Sequence, residues 1–215
     1  MNVLFSCGLR CAFDNDPEFK VEFARGNTFS SMGSVAHEMT KMAWTGHFND
    51  VPNSILKSSV TNEWNQLVSA ELEKLRTEWQ PAEVPLPADW PFYAVKKFAT
   101  VKRVIDDITQ YRLRGSGSGN AEPRVEKRIV DRELGLEGIP DRVMFTPDGF
   151  YVLDLKTGHS VDSISDAFRR QLLIYAHLTS QVTGLPVQAI GLMNARGDTI
   201  WENVTPGDVA VAMGE

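Results

Sequence analysis

The sequence predicts an α/β fold in which a mostly helical N-terminal half precedes a β-sheet carrying one strong helix. Three observations predict it. Helical periodicity recurs three times before residue 115, β-branched and aromatic runs punctuated by glycine dominate after residue 123, and a glycine-serine stretch, GSGSGN at 115–120, separates the two textures. The 215 residues suffice for one full core, so the chain is read as a single domain, 1–215: a helical segment over residues 1–114, a flexible loop over 115–123 and a sheet core over 124–215.

In the helical segment, SSMGSVAHEMTKMAW (30–44) predicts a helix with Ser30 or Ser31 as N-cap and Val35, Met39 and Met42 as its apolar stripe. His37 leaves another side of that helix, shared with Lys41 and Trp44. Further helices are predicted over Asn62–Trp79 and Phe92–Tyr111, with prolines at 81, 85, 87 and 91 breaking the chain between them. In the sheet core the predicted strands are RVEKRIV, GIPDRVMF, FYVLDL, PVQAIGLM and DTIWENV. A helix over Asp166–Thr179, capped by Ser163 or Ser165, follows the third strand. Its broad apolar face, with Phe168, Leu172, Tyr175 and Leu178, also contains Gln171. A last helix opens at Thr205-Pro206-Gly207-Asp208, so the chain stops inside an element and a longer natural chain is left open.

Hydrophobic residues make up 42% and charged residues 23%, which excludes disordered and collagen-like classes. A net charge of -6 and a pI near 5.3 mean that the long-range field of the whole chain does not draw nucleic acid. Basic residues do cluster locally, at Arg124, Lys127, Arg128 and Arg132 and at Arg169 and Arg170. Two cysteines, Cys7 and Cys11, are too few for a disulfide-stapled secreted fold and fit a reducing compartment. With no signal-peptide pattern and no membrane-length apolar run, a cytoplasmic location is expected and no membrane partner.

The stretch PDRVMFTPDGFYVLDLKTG (140–158) carries the chemistry. Thr146-Pro147-Asp148-Gly149 is a turn between two strands, so the stretch is a β-hairpin. If Thr146 opposes Gly149, Asp141 opposes Asp154, a register fixed to within one residue. Carboxylates opposed across a hairpin have Cβ atoms roughly 5 Å apart and repel unless a cation lies between them. Lys156, two residues past Asp154, shares its face. Tyr151, Val152, Leu153 and Leu155 make the strand apolar, so its charged residues need compensation; the plain structural alternative is a buried Asp154–Lys156 ion pair.

At these residues the sequence resembles the PD-(D/E)XK nuclease superfamily, specifically its RecB-like branch, which includes the CRISPR-adaptation and AddB-type nucleases. Gly33-x-x-x-His37 resembles the first motif, Glu126 the acidic position that follows, and Gly138-Ile139-Pro140-Asp141-Arg142 the aspartate motif. Asp154-Leu155-Lys156-Thr157-Gly158 resembles the D-x-K core, and Gln171-x-x-x-Tyr175 the closing helix motif. The resemblance implies a restriction-endonuclease-like core, a mixed central β-sheet flanked by helices. It implies Mg²⁺ or Mn²⁺ held by His37, Asp141, Asp154 and the Leu155 carbonyl, with Lys156, Asp154, Asp141, Glu126, Gln171 and Tyr175 in the catalytic set.

The activity implied is metal-dependent hydrolysis of DNA, as an exonuclease in repair, recombination or phage or CRISPR DNA processing, with a helicase as a possible partner. Arg128, Arg142, Arg169 and Arg170 are the candidate DNA contacts, with Arg142 alternatively neutralising nearby acids. Glu133 and Glu137 compete with Glu126 for its role. Many RecB-like nucleases hold an iron-sulfur cluster with one early and three late cysteines; no cysteine follows Cys11, so no cluster is expected. Two rivals stand: a catalytically inactive nuclease-fold module that binds DNA or a helicase, and a phosphoesterase of small molecules.

Overall fold

The computed structural model describes residues 28–78, 84–114, 124–156, 163–194 and 197–214. Cys7, Cys11, the 115–120 loop, Thr157, Gly158 and His159 lie outside the described residues.

Among the described residues, three α-helices lie in the first half: α1 (Thr28–Trp44), α2 (Asn53–Glu78) and α3 (Tyr93–Arg114). α1 begins earlier than expected, so Ser30 and Ser31 lie inside its first turns rather than capping it, and Ser31 is buried. α2 also begins well before Asn62. Its polar opening hides a stripe at four-residue spacing, Leu56, Val60, Trp64 and Val68, all buried. These pack with Met32, Val35 and Met39 of α1 and Val104 and Ile108 of α3 in one apolar core.

In the second half the run RVEKRIV forms two strands in different sheets, β1 (Arg124–Val125) and β2 (Ile129–Asp131), instead of one. The break falls at Glu126, whose φ of 44° is left-handed and cannot continue a strand. GIPDRVMF divides likewise into β3 (Leu136–Gly138) and β4 (Arg142–Thr146), parted by Pro140, which has no N–H for a ladder. β2 and β3 pair as a small antiparallel sheet.

The main sheet is mixed, in the order β1-β4-β5-β6-β7, with β5 (Gly149–Lys156), β6 (Val187–Asn194) and β7 (Thr199–Asn203). The β4–β5 hairpin has the expected register, Thr146 opposite Gly149 and Arg142 opposite Leu153. The paired register ends there, and Asp141, in a bend just before β4, lies beside the end of β5, where its carboxylate accepts the Leu155 N–H. β5 and β6 run parallel, which requires a crossover, and α4 (Asp166–Thr183) supplies it. Ser165 caps α4 by accepting from the Phe168 N–H, and Gly184, at φ 70°, ends it. The helix expected at Thr205 is α5 (Pro206–Met213), closed at its start by reciprocal bonds between Thr205 and Asp208.

Period two divides the faces of β5. Phe150 and Val152 pack with Leu172, Leu173 and Ala176 of α4 in a second core, so Asp154 and Lys156 belong to the α4 face. Leu153 and Leu155 face the other way and pack with Met193 and Trp44 of α1. α4 also covers Gly138, where a Cβ would sit 2.6 Å from Tyr175 Cε1 and 3.0 Å from a Leu178 methyl. Gly138→Ala should therefore displace Tyr175 and cost about 1–3 kcal/mol in urea unfolding, whereas Gly135→Ala, which meets no atom, tests the cost of a positive φ alone.

Candidate active site

The site lies where the start of β4 and the end of β5 meet α1 and α4. Asp141 anchors it. One carboxylate oxygen, Oδ2, accepts the Leu155 N–H at 2.6 Å; the other, Oδ1, lies 3.7 Å from His37 Nδ1. Glu126, released from β1 by its left-handed turn, donates its N–H to the Asp141 carbonyl at 3.1 Å. His37, Glu126 and Asp141 can each turn a ligand atom to within 4.8 Å of the others, a group able to hold a metal ion. Asp154 stands outside that triad, although its charge acts on both Asp141 and His37.

Asp154 is buried, 5% exposed, on the central strand. Its Oδ2 lies 2.7 Å from Lys156 Nζ, yet this sealed oxygen has no hydrogen-bond partner among the described residues. The ammonium is close enough to offset charge but is not aligned as a donor. Lys156 is steadied from the far side by the Phe168 ring, 4.6 Å from Nζ to its centroid.

Burial, followed by the nearby Asp154 charge, pushes the Asp141 carboxyl up to about 7, against the opposing pull of the Leu155 N–H. Burial pushes His37 below the usual histidine range. Its imidazole is therefore neutral near pH 7, and the 3.7 Å approach to Asp141 is not an ion pair. A neutral imidazole among carboxylate oxygens is a donor set able to hold a divalent metal ion.

On α4, Gln171 finds its partner one turn on, donating Nε2–H to the Tyr175 hydroxyl at 2.8 Å. This leaves the phenol its own hydrogen to give. Burial raises the Tyr175 pKa and keeps that hydrogen in place. The Leu155 backbone lies beside Asp141, while its side chain packs on the opposite face with Trp44.

The expected basic residues are scattered. Arg142 lays its guanidinium over the Trp44 ring, 4.8 Å from the centroid. Arg128 pairs with Glu137 on the small sheet, which also ties up one rival of Glu126. Arg169 is held by Glu202 at 2.6 Å and Asp208 at 3.1 Å, joining α4 to β7 and α5. Arg170, exposed, lines a cleft between α4 and α5.

Sequence reasoning missed Lys41, whose Nζ lies 3.0 Å from Glu126 Oε2. It also missed a buried network in which Trp44 Nε1–H donates to Asp107 at 3.2 Å, and Arg103 donates to Thr40 and, at 3.4 Å, to the Asn194 carbonyl. The available signal was Arg103 standing among Val101, Val104 and Ile108 on one helix. His177 lies 3.5 Å from Asp131 and ties α4 to β2.

A hairpin bearing Asp141, Asp154 and Lys156, set in a mixed sheet and approached by His37 and by the Gln171–Tyr175 pair, is the arrangement expected of a nuclease. The chain belongs to the PD-(D/E)XK nuclease superfamily, whose family model matches residues 6–202. Among solved structures it is similar to one from Eubacterium rectale described as a candidate exonuclease, at 14% identity and a TM-score of 0.32, covering 66% of this chain and 67% of that chain. No curated protein matches it.

Because Asp141 keeps its proton up to about pH 7 when folded but only to the ordinary carboxylate range when unfolded, the metal-free fold gains stability as pH falls from 7 towards 4. Asp141→Asn, which still accepts from Leu155, should stabilise the EDTA-treated protein at pH 8 by on the order of 1–4 kcal/mol and change little at pH 4. Urea unfolding at both values checks this; equal effects at both would show that Asp141 carries no such strain.

Proposed function

We propose that this chain is a Mg²⁺- or Mn²⁺-dependent deoxyribonuclease that acts as an exonuclease. The observation that carries the reading is the His37–Glu126–Asp141 group set beside the buried, Lys156-paired Asp154 carboxylate. Acidic groups gathered this closely repel one another unless a cation lies among them. Membership of the nuclease superfamily supports the reaction class. The choice of DNA, the exonuclease mode and a place in repair, recombination or phage or CRISPR DNA processing, with a helicase alongside, rest on the RecB-like order of the motifs. Among the described residues no helix is long and apolar enough to cross a membrane.

His37, Asp141 and Asp154, with the Leu155 carbonyl and with Glu126 closing the group, would hold the metal. A divalent cation bound there supplies Lewis acidity and a water of lowered pKa. Lys156 orients the attacking water and offsets the charge that grows on the phosphate oxygens. Gln171 fixes the Tyr175 hydroxyl so that its free hydrogen can meet a phosphate oxygen. Arg169 is held by two acids, as is Lys41, so contact with the DNA backbone falls to Lys156, Tyr175 and the exposed Arg170.

Lys156→Ala should lower cleavage of linear DNA by at least about 10²-fold in either metal with the fold intact by circular dichroism. Undiminished cleavage sinks the assignment, and a wild-type chain that binds Mn²⁺ but cuts no end-labelled single- or double-stranded DNA leaves only a binding module.

A further inference from the structure

α1 turns one stripe, His37, Lys41 and Trp44, toward the second half of the chain, and each turn of the helix meets a different group there. His37 lies 3.7 Å from Asp141, Lys41 lies 3.0 Å from Glu126, and the Trp44 ring carries the Arg142 guanidinium at 4.8 Å. The first two contacts bear on ligand atoms that a metal would draw away. The third involves no ligand.

We propose that Trp44 is a positioning residue for the Asp141 carboxylate, acting through the stacked guanidinium of Arg142, the next residue in the chain. The inference rests on the reading above only in taking Asp141 as a metal ligand. Asp141 immediately precedes Arg142, the first residue of β4. Fixing the Arg142 side chain therefore fixes the adjoining backbone that aims Asp141.

Trp44 is itself well held. Its ring packs with Leu153, Leu155 and Met193, and its N–H donates to Asp107 on α3 at 3.2 Å. Asp107 is in turn flanked by the charges of Arg103 and Arg142, so the guanidinium has an aromatic face beneath it and a carboxylate nearby. An arginine kept for a DNA phosphate would extend into solvent; this one is half-buried against indole. Trp44 thus transmits the position of α1, and so of His37, to the hairpin that carries the other ligand.

Three variants test this: Trp44→Leu, which keeps apolar packing without a π-face, Trp44→Phe, which keeps the face without the N–H, and Arg142→Gln. In metal-free protein, the losses of Trp44→Leu and Arg142→Gln in urea unfolding should be less than additive when combined. By calorimetry, Trp44→Leu and Arg142→Gln should each bind Mn²⁺ about 10-fold more weakly, while Trp44→Phe stays within about threefold of wild type. Wild-type Mn²⁺ affinity in Arg142→Gln, which decides the matter even if Trp44→Leu does not fold, overturns the inference, as do additive losses. A wild-type chain that takes up no Mn²⁺ overturns the metal reading beneath it, whereas one that binds Mn²⁺ without cutting DNA overturns only the nuclease reading.

Discussion

Two carboxylates lie together at the open end of the β4–β5 hairpin, and the rest of the site follows from the cost of keeping them there. Asp154 is sealed on the central strand, and Asp141, just before β4, is driven up to about 7 by burial and by Asp154. The protein answers with three devices: the Leu155 N–H on one Asp141 oxygen, the Lys156 ammonium against Asp154, and a proton retained on Asp141. Half-buried His37, neutral near pH 7, and the Glu126 side chain complete a set of donors around the two acids.

This arrangement sits between two separately packed cores, one of helices and one of sheet with α4. His37 and Lys41 belong to the first half of the chain, Asp141, Asp154 and Glu126 to the second. Arg103 and the stack of Trp44 on Arg142 help to hold the halves in register. The site therefore depends on the seam. Polar groups at a seam are costly unless matched, and here the match supplies geometry rather than net stability.

Much of this was legible in the sequence because short-range rules decide it. The Thr146-Pro147-Asp148-Gly149 turn sets the hairpin register, and with it brings Asp141 close to the Asp154 end of β5. Period two then puts Lys156 beside Asp154, and period 3.6 puts Gln171 under Tyr175. What the pattern could not show was set by tertiary contact. Glu126 reaches His37 only because its own backbone turns left-handed and parts β1 from β2. The hydrogen-bond partners of Arg103 and Arg169 and the ring beneath Arg142 lie 33 to 98 positions away along the chain, too distant for any periodicity to reveal.

If a divalent cation relieves the strain between the two acids, it must displace the proton that Asp141 otherwise keeps. Titrating Mn²⁺ into metal-free protein by calorimetry, in two buffers of different ionisation enthalpy, counts the protons released at each pH. The expected result is release of about one proton per ion at pH 6, falling towards none by pH 8, with apparent affinity dropping by up to about tenfold per unit below pH 7. Binding with no proton release at pH 6, or an affinity flat from pH 8 to pH 5.5, would contradict it.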